Sequence, residues 1–271
     1  MVNDYSSIIG DKQLVKTYSE FQPLEEVIVG SPYDPNSFDE SKVFDQQSKD
    51  LIKRVLSETA EDLETLVDIL KKENVIVQRT KPLHDPLKTY NVGGFEVEFL
   101  NQPLQPRDVL GFYGNKMLEV YTKDRSRYYE NWGARDILKE YFLGGAKWIS
   151  MPPPELNKKT YQEYYENSEV LFHNANLIKC GKDIFHSQSN QKDPVKGKGT
   201  EQGLHWFKEQ LPEFRFNEIP VGGHADGKVA LIKPGLLVTW KKAWIPEKLK
   251  SWDCIITCLL YTSPSPRDIG E

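Results

Sequence analysis

Three short clusters of polar residues recur along the chain, each just before or at the start of a segment with the pattern of a β-strand. The clusters are Arg107-Asp108, His173-Asn174-Ala175-Asn176 and His224-Ala225-Asp226. A carboxylate such as Asp108 or Asp226 can accept paired N–H bonds from a planar guanidinium. A histidine such as His224 can move protons near neutral pH. Together these residue types favour a pocket for a cationic, planar substrate.

Each cluster also has a purely structural interpretation. Taken alone, Arg107-Asp108 is more typical of a local salt bridge where a strand begins. His173 and Asn176 alone favour hydrogen bonds to backbone groups at a strand edge. His224-Ala225-Asp226 follows two glycines, and a turn capped by Asp226 fits it about as well as a site does. Recurrence at three matching positions favours a shared pocket, because buried polar side chains are costly unless they face a ligand or one another.

The elements that would position these clusters repeat as strand, tight turn, strand, helix and strand. Three copies are predicted: strands 108–113, 116–121 and 147–150 with a helix over 125–142; strands 169–178, 183–188 and 214–219 with a helix over 201–210; and strands 228–232, 236–240 and 254–257 with a short helix over 246–251. The N-terminal part gives a partial copy, with strands 25–30 and 75–78 around a helix over 44–73. The sequence therefore predicts an α/β protein of four related units.

Two polar segments, 82–106 and 190–199, interrupt the repeats and are expected to be surface loops. No low-complexity linker divides the chain, which favours one domain over residues 1–257. Periodicity alone, however, favours an ordinary α/β sheet with antiparallel hairpins over a repeat architecture.

Composition limits the classes of partner. The 271 residues are 38% hydrophobic and carry a net charge of −5, which is typical of a soluble globular protein and argues against a general nucleic-acid binder. No apolar run approaches the roughly 20 residues that span a bilayer, and the N-terminus shows no signal-peptide pattern. We therefore expect a cytoplasmic protein with small-molecule partners and no contact with membrane or nucleic acid.

Cofactor and metal signals are weak in the sequence. Cys180, Cys254 and Cys258 form no CxxC pair and are expected to be free thiols. His84, His186 and His205 have no companion at metal-ligand spacing, and no glycine-rich phosphate motif occurs. The sequence thus predicts neither a metal site nor a cofactor.

An ordered series of short motifs resembles the glycine amidinotransferase group of pentein enzymes, over residues 18–257. The series comprises Pro23-Leu24-Glu25-Glu26-Val27-Ile28-Val29-Gly30, Pro106-Arg107-Asp108-Val109-Leu110, Arg125-Ser126-Arg127, Gly145-Ala146-Lys147-Trp148, Gly181-Lys182-Asp183-Ile184-Phe185, His224-Ala225-Asp226 and Pro234-Gly235. The ordered series is far more specific than any one motif. The resemblance implies a pentein α/β-propeller, with five ββαβ units around a pseudo-fivefold axis.

The resemblance also implies an activity, the transfer of an amidino group from arginine to an amine acceptor. It assigns Asp108 and Asp226 to the guanidinium and His224 to acid–base catalysis. Arg107 and Asn176 join them as predicted substrate-binding residues. The nucleophile is implied to be a cysteine of the fifth unit, which forms an amidino-cysteine intermediate.

This chain departs from the family pattern at two positions. His173 aligns with the family carboxylate that partners the catalytic histidine, and Asn176 aligns with a second carboxylate. We therefore predict a catalytic position for His173, with Glu169 as a substitute carboxylate if the local register shifts. Because a neutral imidazole cannot offset a guanidinium charge as a carboxylate does, the identity of the donor or the mechanism could differ.

Residues 258–271 resemble a translated sequencing adapter, and we expect this tail to be non-native. On that interpretation the fifth unit and its cysteine are missing and the chain is inactive as given. Exposed edges would then favour self-association as a homo-oligomer. Two alternatives stay open, a guanidine-hydrolysing pentein similar to arginine deiminase and a non-catalytic binding protein of the same fold.

Overall fold

The structure is a computed structural model that describes residues 15–92, 95–97, 99–155, 169–187 and 199–257. The expected tail at 258–271 lies outside the described residues, as does the predicted loop 190–199 apart from Gly199. Within the described residues, every helix is too short or too polar to span a bilayer.

The described strands and helices follow the predicted repeat. The strands are β1 (Glu26–Val29), β2 (Ile76–Arg79), β3 (Tyr90–Val92), β4 (Phe95–Val97), β5 (Leu110–Tyr113), β6 (Lys116–Glu119), β7 (Lys147–Ser150), β8 (Leu177–Cys180), β9 (Asp183–His186), β10 (Arg215–Glu218), β11 (Val229–Lys233), β12 (Leu236–Thr239) and β13 (Asp253–Ile256). The α-helices are α1 (Gln46–Lys72), α2 (Pro106–Val109), α3 (Arg135–Leu143) and α4 (Glu201–Gln210).

Three sheets share one topology. In each, an antiparallel hairpin is extended by a parallel third strand, giving the orders β5-β6-β7, β8-β9-β10 and β11-β12-β13. The partial copy keeps only the parallel pair β1-β2, with α1 between its strands. The predicted three full units and one partial unit are therefore confirmed.

The hairpin turns explain why glycine recurs at one position of each unit. Gly114, Gly181 and Gly235 have φ angles of +57°, +63° and +83°. These left-handed conformations are strained for residues with a Cβ atom, so glycine is favoured at each turn. Each turn leaves two residues between the paired strands, at 114–115, 181–182 and 234–235.

Several predicted boundaries are wrong near the polar clusters. Residues 108 and 109 belong to α2 rather than to a strand, because Pro106 starts a helical turn that ends where β5 begins at Leu110. Residues 174–176 form a 3₁₀ turn rather than strand, and β8 begins only at Leu177. Both corrections place polar residues in a tight turn immediately before a strand.

Three further segments differ from prediction. The helix predicted over 125–142 is α3 alone, preceded by 3₁₀ turns at Arg125–Arg127 and Glu130–Ala134. The helix predicted over 246–251 is a 3₁₀ turn at Glu247–Leu249. The segment expected to be a loop at 82–106 contains the hairpin β3-β4 and the start of α2.

The core lies mainly between neighbouring units. One cluster joins the first two full units through Tyr113, Leu118, Phe172 and Phe207, and another joins the second and third through residues such as Phe185 and Leu237. Truncating a fully buried aromatic such as Phe207 to alanine costs about 3–5 kcal/mol in typical cores. This packing fixes the adjacent strand ends relative to one another.

Candidate active site

The three full units bring three of the predicted site residues together. Asp108 lies in α2, His173 directly before the 3₁₀ turn at Asn174–Asn176, and His224 a few residues before β11. One donor atom from each lies within 4.8 Å of the others. We call Asp108, His173 and His224 the donor cluster.

Within the donor cluster the two imidazoles are in direct contact. His224 Nε2 lies 3.1 Å from His173 Nδ1, a hydrogen-bonding distance that requires a proton on one of the two nitrogens. The ring centroids are 5.0 Å apart and the planes are tilted by 43°. His173 is buried, whereas His224 is partly exposed. The predicted acid–base residue is therefore the one that solvent can reach.

Backbone hydrogen bonds hold the second and third units in register at this point. The amides of Ala225 and Asp226 both donate to the carbonyl of Ala175, at 3.0 and 3.3 Å. The amide of Asn176 donates to the carbonyl of His173 at 3.1 Å and closes the turn. Asn176 is buried in this turn beside the donor cluster. The sequence between His224 and Asp226 is thus anchored directly on the turn that carries His173.

Asn174 is a structural residue of the site that sequence reasoning did not select. Its Nδ2 donates to the carbonyls of Arg107 and Leu110 at 3.1 and 2.9 Å, and its Oδ1 accepts from the Tyr113 hydroxyl. Burial raises the pKa of Tyr113 well above its ordinary value, so that hydroxyl remains a donor. We call the hydrogen bonds of Asn174 to Arg107, Leu110 and Tyr113 the Asn174 clamp. Gly111 leaves room for it, since a Cβ atom at position 111 would lie 2.3 Å from Asn174 Oδ1.

Asp108 is oriented by a buried arginine. Arg127 Nη1 donates to Asp108 Oδ2 at 2.8 Å, and the same guanidinium forms a two-bonded pair with Glu130 at 2.5 and 2.8 Å. Burial alone would lower the pKa of Arg127, but the two carboxylates outweigh it and raise that pKa. From the described residues, Asp108 Oδ1 receives no hydrogen bond, so this oxygen can serve a ligand.

Asp226 is oriented in a similar way by Arg107. Arg107 Nε donates to Asp226 Oδ2 at 2.6 Å, while Nη1 reaches Glu20 at 3.3 Å and Nη2 the carbonyl of Leu177 at 3.2 Å. Burial would lower the pKa of Arg107, but Glu20 and Asp226 raise it overall. The alternative of a salt bridge between Arg107 and Asp108 is wrong, because each residue pairs with a different partner.

Glu20 ties this second pair to the N-terminal segment. Besides Arg107, its carboxylate accepts from the backbone amide of Lys179 at 2.9 Å. The neighbouring Ser19 forms an isolated antiparallel β-bridge with Cys180, and its hydroxyl accepts a hydrogen bond from the amide of Gly181. Sequence reasoning missed Glu20, Arg127 and Glu130. Glu20 and Arg127 meet partners 87 and 19 residues away in the chain, and Glu130 is linked to Asp108 only through Arg127.

The remaining sequence candidates lie outside the donor cluster. The Glu169 carboxylate accepts from the backbone amide of Glu155 at 3.3 Å and does not replace His173. Cys180 ends β8 and Cys254 lies within β13. Burial, with a smaller contribution from Asp183, raises the pKa of the Cys180 thiol.

A separate open groove of about 690 Å³ lies beside α1, lined by residues such as Tyr33, Glu64, Arg79 and His84. None of the donor cluster lines it. We place the candidate site at the donor cluster, because there two imidazoles and a carboxylate from three separate units lie within 4.8 Å of one another. That arrangement can bind a planar cation and exchange protons with it.

Curated relatives show to which family the chain belongs. The chain is 30% identical over 283 residues to L-arginine:L-lysine amidinotransferase from Pseudomonas savastanoi pv. phaseolicola, a match that covers 89% of this chain and 73% of the relative. The chain belongs to the amidinotransferase family. It is also 30% identical over 266 residues to mitochondrial glycine amidinotransferase from Gallus gallus, covering 83% of this chain and 60% of that relative.

A solved amidinotransferase has the same fold. Inosamine-phosphate amidinotransferase from Streptomyces griseus is 28% identical, with a TM-score of 0.72 over 90% of this chain and 76% of that one. The pentein fold implied by the motif series is therefore confirmed. No protein-family model matches the chain.

Proposed function

We propose that Asp108 and Asp226 bind the guanidinium of arginine and that His224 transfers protons while the amidino group passes to an amine acceptor. The observation that carries this proposal is the pair of oriented aspartates beside a partly exposed histidine. Each aspartate is held through Oδ2 by an arginine of the protein, and neither Oδ1 receives a hydrogen bond from a described residue. Two such oxygens suit the paired N–H groups of a substrate guanidinium.

The proposed reaction needs a thiolate and two proton transfers. The thiolate attacks the guanidino carbon, and His224 gives a proton to the departing amine, which leaves as ornithine. The acceptor amine then attacks the amidino-cysteine, loses a proton to His224 and releases the thiolate. Charge that develops on the guanidino nitrogens is stabilised by Asp108 and Asp226.

Neither described cysteine suits the role of that thiolate. Cys180 lies at the end of β8 next to the Gly181 turn, whereas the donor cluster lies before the first residue of that strand. Its raised thiol pKa also lowers the fraction of reactive thiolate. Cys254 pairs with Leu237 inside a sheet of the third unit. The nucleophile is therefore proposed to be a cysteine outside residues 15–257, in the fifth unit that the resemblance implies.

His173 is proposed to orient His224 in place of the family carboxylate. The 3.1 Å contact holds Nε2 of His224 against Nδ1 of His173 and so restricts the orientation of the His224 ring. An imidazole stabilises a neighbouring imidazolium less than a carboxylate does. We expect the variant His173→Asp to bind arginine at least as tightly as the wild type.

The test is product analysis with arginine labelled in its guanidino carbon, together with glycine, lysine and other amines. For the 271-residue chain we expect arginine binding without release of ornithine. Ornithine release that persists in Cys258→Ser and disappears in Cys180→Ser or Cys254→Ser would overturn the thiol assignment. In any active form, ornithine with a new guanidine supports transfer, whereas citrulline with ammonia would identify a hydrolase instead.

A further inference from the structure

We propose that Asp108, His173 and His224 form a binding site for a divalent transition-metal ion, with zinc as the best-matched ion. The sequence could not indicate this site, because its three donors are separated by about 50 residues or more and none has a ligand neighbour at short spacing. The fold brings one donor from each of three units to a single point. This inference does not depend on the proposed transfer activity.

The distances suit a small ion. In a tetrahedral zinc site with Zn–N bonds near 2.0–2.1 Å, two ligand nitrogens lie about 3.3 Å apart. The His224 and His173 nitrogens are 3.1 Å apart. Asp108 offers a carboxylate oxygen within 4.8 Å of one nitrogen of each histidine, so a side-chain rotation that moves this oxygen by roughly 1.5 Å completes a three-ligand site.

The donor types are those that zinc and similar ions prefer. Two neutral imidazoles and one carboxylate recur in zinc sites with an open fourth position. The residue type at position 173 decides which ion fits, because the family resemblance implies a carboxylate where this chain has a histidine. The histidine of this chain changes the donors from one imidazole and two carboxylates to two imidazoles and one carboxylate.

The surroundings supply charge and orientation for a bound cation. Arg127 holds Asp108 through Oδ2 alone, and Glu130 pairs with the same guanidinium, so this group of three has a net charge of −1. Ligating carboxylates are commonly held by such a second hydrogen bond. When the ion binds, the proton shared between the two imidazoles leaves, and both contacting nitrogens become available as ligands.

A metal at this point would compete with arginine, because both need Asp108. Direct titration tests the site without any turnover assay. We use Co²⁺ as a spectroscopic probe of the 271-residue chain in the absence of arginine, and then compete it with Zn²⁺. The expected result is saturable binding of one equivalent with a spectrum of nitrogen and oxygen ligands, lowered in affinity at least tenfold in Asp108→Asn and in His173→Phe.

Matched controls separate this site from adventitious binding. His205→Gln removes an exposed histidine on α4, and Cys180→Ser with Cys254→Ser removes the described thiols. These variants should bind Co²⁺ as the wild type does. Asp108→Asn keeps the shape of the side chain, so it reports on the site even if His173→Phe folds poorly.

Three results would overturn the proposal. They are the absence of saturable binding in the wild type, unchanged binding in a folded Asp108→Asn variant, and loss of binding in the His205 or cysteine controls. Arginine is expected to displace the ion, and simultaneous binding of both would contradict the shared use of Asp108. Failure of metal binding would leave the arginine-binding measurements unaffected, so the two proposals can fail separately.

Discussion

Two aspartate–arginine pairs flank the candidate site, and they differ mainly in exposure. In the pair Asp108–Arg127 the side chains are 11% and 9% exposed, and Glu130 closes the pair at 2%. In the pair Asp226–Arg107 they are 27% and 40% exposed. Both arginines hold one carboxylate oxygen of their aspartate at a short distance. An arginine thus orients an aspartate in a buried environment in the first pair and in a partly solvent-exposed environment in the second.

Because the exposed fractions differ, we expect the two pairs to contribute unequally to stability despite their common geometry. A buried charge that loses its partner is left in a medium that solvates it poorly, whereas an exposed charge is rehydrated. We expect the buried pair to matter for both folding and substrate binding. The exposed pair should matter mainly for binding.

Removing Arg127 should have the largest effect. Arg127→Met leaves the carboxylates of Asp108 and Glu130 buried next to each other, and we expect the free energy of unfolding to fall by about 3–5 kcal/mol. Urea denaturation measures the loss. The matched control is Arg54→Met, whose partner Glu58 is 63% exposed at 3.7 Å and whose loss should change stability by less than about 0.5 kcal/mol. Equal losses of stability in the two variants would contradict the claim that burial makes the Arg127 ion pair more important than an exposed one.

Removing one hydrogen bond of the Asn174 clamp should have the next largest effect on stability. Tyr113→Phe removes the donor to Asn174 Oδ1, and this leaves a buried acceptor without its partner. We expect a loss of about 2 kcal/mol in unfolding free energy. The control Tyr129→Phe keeps a stacked ring whose hydroxyl donates no hydrogen bond to a described residue, and its stability should stay within about 0.5 kcal/mol. An equally stable Tyr113→Phe protein would show that the clamp does not position the site.

Removing Arg107 should destabilise the protein only slightly. We expect Arg107→Met to lower the unfolding free energy by about 1 kcal/mol, since water can solvate Asp226 once the pair is broken. Arg107→Lys keeps the charge and loses the planar guanidinium, so its unfolding free energy should lie between those of Arg107→Met and the wild type. A loss of stability as large as that of Arg127→Met would mean that water does not solvate Asp226 after its partner is removed.

A third aspartate, Asp183, extends the comparison to cations that are more exposed, since its partners Arg215 and Lys248 are 67% and 50% exposed. Burial alone would raise the pKa of Asp183, but hydrogen bonds from Arg215, Lys248 and Asn217 outweigh it and lower that pKa to about 2. This lowered pKa stabilises the fold above the ordinary aspartate value of 3.8, and the contribution disappears as pH falls toward 2. Asp183→Asn should therefore show a shallower loss of stability over that interval, measured by thermal unfolding at several pH values. An unchanged slope would contradict the assignment.

Much of the fold could be predicted from the sequence, because hairpin glycines and alternating strands recur at regular positions. Gly114, Gly181 and Gly235 mark equivalent turns, and all three sheets formed as predicted. The boundaries failed where polar residues precede a strand, as at Asp108 and His173. There a proline or a local hydrogen bond replaces strand with a tight turn, which periodicity does not reveal.

The proximity of the candidate site residues was easier to predict than the hydrogen-bond partners that hold them. Asp108, His173 and His224 meet as the recurrence of polar clusters indicated. Arg127, Glu20 and Asn174 were missed, because long-range pairing decides which arginine meets which carboxylate. The boundary at residue 257 and the fifth unit stay predictions.

Arginine binding tests the central claim most directly. Arginine labelled with ¹³C at the guanidino carbon is titrated into the 271-residue chain and its variants, and binding is followed by NMR. We predict saturable binding by the wild type, at least tenfold weaker binding by Asp108→Asn and by Asp226→Asn, and no change in Asp183→Asn. Unchanged affinity in both folded site variants would contradict the claim that the two oriented aspartates form the guanidinium site.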